Sequence, residues 1–406
     1  MNRRAFLGRL AAAGSLAALA GCTDVGGQAN TLPSIGRAEG CGPYEPTVDG
    51  TAEWRSVGGD PAGTGVFPAD SVPDTPLSVD WTFSIDGASG TTRPVVADGR
   101  VYTHDFDSTV YAVDAETGES VWQARTSEPC GSPAVAESAV VVLSEDGVVG
   151  FDRATGEELW TGPTGDPATF NGSPDVVDDT AYVPLGLPLY ALDAADGTVL
   201  WEHTTGEETV ATPAIADGTV YYGDEDTYVY ALDRTTGEER WRYKTDSHVE
   251  CNVSVVDGTV FAAAADGEVL GIDAANGEKQ WSDSIGGVPE LVAADGANTY
   301  VATDNRLYAF DPETGLPCWS TGEYAGSYDS GLAVGDGRIY VPTALTRQGS
   351  YTIPGILDAA SGKLEWRLEQ TPTKDGLAFE MGPVVVDGAV YATGGGAKTL
   401  RLTRMS

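Results

Sequence analysis

The stretch YALDRTTGEERW, residues 230–241, recurs along the chain in related forms such as YAVDAETGESVW at 111–122 and YAFDPETGLPCW at 308–319. The successive copies are spaced by 38, 41, 40, 40, 38 and 47 residues. They end at Trp122, Trp160, Trp201, Trp241, Trp281, Trp319 and Trp366. A repeat of about 40 residues is typical of a unit built from four strands. The spacing therefore predicts one repeated supersecondary unit along most of the chain.

The strands of the unit are visible in the segment that precedes Trp241. Residues 213–215 form a short apolar run, and the dipeptide Asp217-Gly218 supplies a two-residue hairpin turn. Residues 219–222 return as a second strand, and residues 228–232 form a third before the strand that carries Trp241. Because short β-branched and aromatic runs alternate with glycine turns and no long helical period occurs, the sequence predicts an all-β protein.

The tryptophan copies resemble the AxDxxTGxxxW docking motif of quinoprotein-type propellers. Ala231, Asp233, Thr236, Gly237 and Trp241 match this motif in full. The resemblance implies that each tryptophan stacks on the motif alanine and on a glycine peptide of the neighbouring blade. Several copies depart from the motif and are expected to dock less tightly: Gly150, Gly271 and Ile356 replace the alanine, and Ala195, Asn276 and Ser361 replace the threonine.

The two ends of the repeat region are incomplete in complementary ways. The segment from Gly382 to the C-terminus offers three strands without a tryptophan, and the segment from Pro76 offers a strand with Trp81 alone. Joining them completes one more unit and removes an open sheet edge. We therefore predict an eight-bladed β-propeller over residues 50–406, with the last blade closed by an N-terminal strand and Trp81 as the eighth docking residue. Trp54 lies outside the series, in a W-x-x-x-G-G-D-x-x-x-T-G sequence that resembles the lead-in of the same family.

The N-terminus resembles an export signal. Arg3 and Arg4 form a twin-arginine pattern, residues 10–20 are apolar but too short to span a bilayer stably, and the sequence LAGC ends at Cys22. We predict a lipoprotein signal peptide over residues 1–21, lipidation of Cys22 and a flexible tether over residues 22–49. The protein is then anchored to the outer face of the cell membrane. In the alternative, the signal is cleaved in the ordinary way and Cys22 is incidental.

The formal net charge is −38, with 61 acidic and 23 basic residues. Such charge repels itself unless salt screens it, and at molar salt the Debye length falls to about 3 Å. The composition resembles that of exported proteins from extremely halophilic archaea. Because lysine and arginine do not cluster, the sequence argues against nucleic-acid binding.

Four cysteines follow Cys22, namely Cys41, Cys130, Cys251 and Cys318. One or two disulfides are plausible outside the cytoplasm, and a bond from Cys41 to Cys130 is one possibility, but the sequence leaves the connectivity open. No metal site is predicted, because there is no CxxC and the three histidines lie in different repeats.

The propeller pattern also resembles alcohol dehydrogenases that hold pyrroloquinoline quinone over Ca²⁺, with an adjacent Cys-Cys disulfide against the quinone. This chain has no adjacent cysteines and no CxxCH haem sequence, so we expect no cofactor and name no catalytic residue. Polar residues at blade openings could face a central funnel, or could simply be satisfied polar groups where strands begin. These candidates are Asn171, Glu250, Asn252, Glu290, Asp329 and Glu380.

The resemblance extends to the lipid-anchored propeller of the outer-membrane β-barrel assembly machinery. It implies a binding or assembly scaffold, active as a monomeric propeller, that presents its surface to a protein or other ligand outside the cell membrane. The alternative is an enzyme that depends on pyrroloquinoline quinone or Ca²⁺.

Overall fold

The computed structural model describes residues 38, 41–73, 75–85, 90–127, 131–164, 172–208, 211–325, 331–344, 352–368, 379–394 and 398–404. They belong to one compact unit, Leu32–Ser406. The described part contains one short 3-10 helix, Ala69–Ser71, and otherwise only strands, as the sequence predicts. Among these residues, no helix is long and apolar enough to cross a membrane.

The strands form eight four-stranded antiparallel sheets in the described part of the chain. Sheet 1 contains β2 (Val95–Ala97), β3 (Arg100–Asp105), β4 (Thr109–Asp114) and β5 (Ser120–Arg125). Sheet 2 contains β6 (Ala134–Val135), β7 (Ala139–Ser144), β8 (Gly147–Asp152) and β9 (Glu158–Thr161). Sheet 3 contains β10 (Asp175–Val177), β11 (Thr180–Pro184), β12 (Pro188–Asp193) and β13 (Val199–Thr204). Sheet 4 contains β14 (Ala214–Ala216), β15 (Thr219–Gly223), β16 (Tyr228–Asp233) and β17 (Glu239–Lys244).

Sheet 5 contains β18 (Ser254–Val256), β19 (Thr259–Ala263), β20 (Glu268–Asp273) and β21 (Lys279–Ser284). Sheet 6 contains β22 (Leu291–Ala294), β23 (Thr299–Thr303), β24 (Arg306–Phe310) and β25 (Pro317–Thr321). Sheet 7 contains β26 (Ala333–Gly335), β27 (Arg338–Ala344), β28 (Thr352–Asp358) and β29 (Leu364–Arg367). Sheet 8 contains β30 (Phe379–Val386), β31 (Ala389–Gly394), β32 (Lys398–Arg404) and β1 (Leu77–Ser84). In each of sheets 1–7 we call the first strand inner and the fourth outer; in sheet 8, β30 is inner and β1 is outer.

Sheet 8 joins the two ends of the chain. β1 pairs antiparallel with β32, and Trp81 lies opposite Arg401 in the register. One buried cluster contains Val101 of sheet 1, Tyr340 of sheet 7 and Val384 of sheet 8. The N-terminal strand therefore completes the last sheet, and that sheet packs together with the first and the seventh.

Seven tryptophans make the same contact with the sheet that follows. Each indole N–H donates to a main-chain carbonyl of that sheet over 2.8–3.2 Å. A Cβ added to the motif glycine of that sheet would lie 2.4–2.8 Å from the indole. The tryptophan–glycine pairs are Trp81–Gly118, Trp122–Gly156, Trp160–Gly197, Trp201–Gly237, Trp241–Gly277, Trp281–Gly315 and Trp319–Gly362.

Two copies in which glycine replaces the motif alanine keep this contact. Trp160 and Trp281 lie in sheets where Gly150 and Gly271 replace alanine, and their N–H bonds measure 2.9 and 2.8 Å, against 2.9 Å for Trp201. Each of these two glycines faces its own sheet's indole, where a Cβ would come within 2.2–2.4 Å of the ring. The expected looser contact is therefore not visible in these distances, because the indole uses the space that the missing methyl leaves.

The segment before the sheets is attached to sheet 6. Cys41 forms a disulfide with Cys318 of β25, so the suggested bond to Cys130 is wrong; Cys130 itself lies outside the described residues. The Tyr44 hydroxyl donates to Asp295 over 2.8 Å, and the Thr47 amide donates to the Asp295 carbonyl over 2.9 Å. The described residues 41–49 of the expected tether are therefore held against sheet 6 by these bonds.

Candidate functional site

Residues 54–67, which we call the lead-in, run past the inner strands of successive sheets. At the same position in six inner strands, a main-chain amide donates to a lead-in carbonyl. The pairs are Val96 to Trp54, Val135 to Arg55, Ile215 to Pro61, Val255 to Ala62, Ala294 to Thr64 and Val334 to Gly65, over 2.5–3.3 Å. The order along the lead-in follows the order of sheets 1, 2, 4, 5, 6 and 7. One segment therefore bridges most of the inner strands.

The spacing of W-x-x-x-G-G-D-x-x-x-T-G at residues 54–65 has a local explanation. Gly59 adopts φ +84° and lies against the fully buried Trp54, where a Cβ would come within 2.9 Å of the indole. Asp60 accepts the Thr64 amide over 2.9 Å and the Thr64 hydroxyl over 2.5 Å, which fixes the turn. Tryptophan, glycine, aspartate and threonine together shape the lead-in.

A pocket lies where the lead-in meets the inner strands. It has a volume of about 790 Å³, a figure that includes space open to solvent. Val57, Gly58, Gly63 and Gly65 of the lead-in line it, together with residues that enter the inner strands. We call this the central pocket.

One structurally equivalent position contributes a residue from each sheet. To define this position, we take one residue of each second strand and find its pairing partner in the inner strand; the position lies two residues before that partner. The second-strand residues are Tyr102, Val141, Tyr182, Tyr221, Phe261, Tyr300, Tyr340 and Tyr391. The residues there are Arg93, Ser132, Ser173, Thr212, Asn252, Leu291, Gly331 and Gly382. All but the last line the central pocket.

The polar members of this set connect neighbouring inner strands. The Ser173 hydroxyl accepts the Ser132 amide over 2.9 Å, and the Thr212 hydroxyl accepts the Ser173 amide over 3.0 Å. The Asn252 side chain donates to the Val292 carbonyl over 2.7 Å and accepts the Val292 amide over 3.2 Å. These groups already hold sheets 2, 3 and 4, and sheets 5 and 6, together.

Arg93 connects sheet 1 to the lead-in and to sheets 7 and 8. Its guanidinium donates to the carbonyls of Val57 (2.7 Å), Leu332 (3.3 Å) and Pro383 (3.1 Å) and lies 5.3 Å from the Trp54 ring centroid. A Cβ on Gly331 would overlap it. The glycine of sheet 7 therefore makes room for an arginine of sheet 1 that bonds to sheets 7 and 8. Burial lowers the pKa of Arg93 to about 10, so it remains charged at neutral pH.

The structure brings some of the predicted funnel residues together. Glu250, Asn252 and Glu290 all line the central pocket. Glu380 belongs to β30, but its side chain is outside the described residues, as are Asn171 and Asp329. Arg3, Arg4 and Cys22 also lie outside them. Sequence reasoning missed Arg93, although a residue two before Val95 could have been found by aligning the repeats on the inner strands.

Cys251 also lines the pocket. Its thiol is buried, lies 3.4 Å from the Ala263 carbonyl, and burial raises its pKa to about 12. A thiol with such a pKa is almost entirely protonated at neutral pH and is a poor nucleophile. Cys251 is therefore a structural residue of the inner wall.

The described residues do not fit a quinone held over a metal ion. Among them, no group of three His, Cys, Asp or Glu side chains could hold a metal. The sequence has no adjacent cysteine pair, and the pocket's equivalent positions are occupied by groups that bond to neighbouring strands. No reaction step is therefore assigned to a quinone here.

The sheets and the central pocket define the class as a β-propeller built from repeated four-stranded units. A family model described as outer membrane protein assembly factor BamB matches residues 49–214, 188–292 and 283–404. These matches cover most of the chain. The chain belongs to this family of PQQ-repeat proteins.

Solved structures with low sequence identity share the fold. BamB from Moraxella catarrhalis superposes with a TM-score of 0.65 and 18% identity, over 81% of this chain and 98% of that chain. Quinohemoprotein alcohol dehydrogenase from Comamonas testosteroni gives a TM-score of 0.70 and 16% identity, over 88% and 81%. Because the first is an assembly factor by family and the second a dehydrogenase, the fold alone does not separate these functions.

Among curated relatives, polyvinylalcohol dehydrogenase from Sphingopyxis sp. (strain 113P3) is 24% identical over 402 residues, or 80% of this chain and 61% of that protein. The chain spans less than two thirds of the length of the first curated relatives that it matches.

Proposed function

We propose that this protein is an extracytoplasmic binding or assembly scaffold, and that its eight sheets are the blades of a closed propeller held together by tryptophan docking. The lead-in, which contacts inner strands in sheet order, and the tryptophan–glycine contacts between consecutive sheets support the ring. The completion of sheet 8 by β1 supports eight blades.

A set of exposed apolar side chains on consecutive outer strands carries the scaffold proposal. The residue directly before the tryptophan is Val121 in β5, Leu159 in β9 and Leu200 in β13, with 42%, 46% and 52% exposure. At the same position the other five sheets have Asp80, Arg240, Gln280, Cys318 and Glu365. We call these three apolar residues the rim patch.

The rim patch favours a protein partner for two reasons. Exposed apolar side chains recur at one position of three consecutive sheets, in a chain whose formal charge is −38, and apolar surface that recurs in this way is a candidate for a protein interface. Within the described residues, the outer edges of β5, β9 and β13 pair with no further strand. An open edge offers main-chain groups to a partner strand, while the apolar side chains lose contact with water.

A mutational test separates the rim patch from the rest of the surface. The full-length protein is tagged and crosslinked in native membranes at high salt, and the captured partners are identified by mass spectrometry. We expect Leu159→Gln with Leu200→Gln to lose a partner that the wild type captures. Leu316→Gln removes an equally exposed leucine (46%) outside the patch and should keep it. Capture that is equal in all three would contradict the proposal.

The same proposal includes the lipid anchor on Cys22 and twin-arginine export of the folded domain. It rests on the sequence LAGC and on Arg3 and Arg4. Replacing Cys22 with Ser should move the protein from the membrane fraction to the medium, and replacing Arg3 and Arg4 with Lys should block export. Membrane retention of the Cys22→Ser protein would show that the anchor lies elsewhere.

A quinone- or Ca²⁺-dependent dehydrogenase is the second candidate, favoured by the similarity to the two dehydrogenases. The wild type is incubated with pyrroloquinoline quinone and Ca²⁺ at high salt, and binding and dye-linked alcohol oxidation are measured. Turnover that disappears in Glu250→Gln would overturn the scaffold proposal. Glu225→Gln serves as a control, because Glu225 lies outside the residues that line the pocket.

A further inference from the structure

The lead-in leaves the inner strands at one place. Between Arg55, which bonds to sheet 2, and Pro61, which bonds to sheet 4, the chain turns at Ser56–Asp60 beside β10. In sheet 3 the amide equivalent to those six donors belongs to Val176. That amide donates to the Asp175 carboxylate over 2.7 Å instead. Asp175 therefore substitutes for the missing lead-in carbonyl.

A carboxylate at this position is unusual within the repeat. The equivalent inner-strand residues are Val95, Ala134, Ala214, Ser254, Ala293, Ala333 and Val384. Seven sheets thus form the same strand without a charge. The propeller strand itself does not require Asp175.

Asp175 interacts electrostatically with a second buried carboxylate, that of Asp60. Asp175 is 1% exposed and Asp60 is 8% exposed. Burial, and then the charge of Asp60, raises the pKa of Asp175; burial raises that of Asp60. Among the described residues, only hydrogen bonds from Ser56 and Val176 lower the pKa of Asp175, and no arginine or lysine contributes to this lowering.

One of the four carboxylate oxygens of Asp60 and Asp175 has no hydrogen-bond partner among the described residues. Asp175 Oδ2 is buried and has no hydrogen-bond partner among the described residues, while both Asp60 oxygens accept bonds from Thr64. Two buried carboxylates without a cationic partner are costly, because each loses its hydration. A bound cation would offset that loss.

We propose that Asp60 and Asp175 bind one hard cation between the lead-in and β10. The nearby candidate ligands are all oxygens: the unpartnered Oδ2 of Asp175, the Asp60 carboxylate, which also accepts from Thr64, and the Ser56 hydroxyl. Oxygen ligands of this kind select Ca²⁺ or an alkali ion over metals that prefer nitrogen and sulfur. The cation would fasten the lead-in to β10, whose Val176 amide donates to Asp175 instead of to a lead-in carbonyl.

The test must separate coordination from charge screening, because a highly acidic protein responds to any salt. The full-length protein is treated with EDTA in molar tetramethylammonium chloride, which screens charge without coordinating to carboxylates. CaCl₂, NaCl or KCl is then added at constant total ionic strength, and the melting temperature is followed. We expect a saturable rise of a few degrees with at least one of the three ions.

Three variants assign the response to the site. In Asp175→Asn and Asp60→Asn, which keep an acceptor oxygen for Val176 and Thr64, the ion concentration for half-maximal stabilisation should rise more than about tenfold. Asp224→Asn is the matched control: Asp224 is also fully buried with an unpartnered Oδ2, but it lies in the turn after β15. This variant should respond as the wild type does.

A direct measurement covers the case in which a variant does not fold. Equilibrium dialysis of the wild type should give one tightly bound ion per chain for the ion that raises the melting temperature. No response of the wild type to any ion, or an equal response of Asp175→Asn, would overturn the proposal and would mean that protons neutralise the pair. No partner protein takes part, so this failure would leave the scaffold proposal unaffected.

Discussion

Replacing Gly237 with Ala tests whether the tryptophan–glycine contact stabilises neighbouring sheets. Gly237 adopts φ +72°, and a Cβ there would lie 2.7 Å from the Trp201 ring. Gly218 adopts the same φ of +72° in the β14–β15 turn, but a Cβ there meets nothing within 4 Å. The two glycines have the same φ, and a Cβ would meet the indole only at Gly237.

The magnitudes follow from this difference. A left-handed alanine costs about 1–2 kcal/mol, partly offset because alanine reduces the freedom of the unfolded chain by about 0.4–1 kcal/mol. Gly218→Ala should therefore lower the free energy of unfolding by about 1 kcal/mol. Gly237→Ala must also displace the Trp201 indole from a filled site, which typically costs a further 1–3 kcal/mol. We expect about 2–4 kcal/mol in total.

Urea unfolding at constant high salt, followed by circular dichroism, measures both variants. A double-mutant cycle with Trp201→Ala completes the test, because the cost of Gly237→Ala should fall to that of Gly218→Ala once the indole is gone. Equal costs for the two single variants, or an unchanged cost of Gly237→Ala without the indole, would refute the reasoning.

Three further outcomes are expected. Cys41→Ser removes a bond that spans 277 residues and should lower the free energy of unfolding by about 2–5 kcal/mol, an effect that reductant reproduces in the wild type and that Cys251→Ser should not show. The melting temperature should rise with KCl up to molar concentration, because screening reduces repulsion among carboxylates; a melting temperature independent of salt would contradict this. Burial raises the pKa of Asp224 to about 6, so its contribution to stability is present below pH 3.8 and is lost as the pH rises through 6. The difference in stability between Asp224→Asn and the wild type, measured from pH 4 to 8, should therefore shift in favour of the variant with rising pH.

The sequence predicts the sheets well because their determinants are local. An Asp-Gly turn such as Asp217-Gly218 needs positive φ at both residues, and here they have φ +48° and +72°. A tryptophan at a fixed distance from the motif glycine marks the outer strand in the same way. Each of these signals depends on residues within one repeat, so a single sequence is sufficient to predict the strands and turns of each sheet.

The central pocket is predicted less well, because its contacts join distant parts of the chain. Asn252 occupies the equivalent position, whereas Glu250 and Glu290 precede it by two residues and one residue, and Arg93 was not among the predicted residues. The bonds from the lead-in use main-chain carbonyls, such as that of Pro61 to Ile215, which carry no side-chain signature. The sequence left the pairing of Cys41 with Cys318 undecided for the same reason: the spacing of two cysteines along the chain does not show whether their thiols meet in the fold.

The lead-in also affects where a ligand can bind. A molecule that enters the central pocket meets Ser173, Thr212 and Asn252, whose polar atoms already bond to neighbouring inner strands. Hydrogen bonds to a ligand there compete with the contacts that connect the sheets. The side chains of Leu159 and Leu200 in the rim patch form no hydrogen bonds between sheets. Each Å² of their apolar surface that a partner covers contributes about 25 cal/mol to the free energy of binding. Binding on the rim therefore leaves the internal bonds intact, which is what a scaffold that must stay folded while it holds a partner requires.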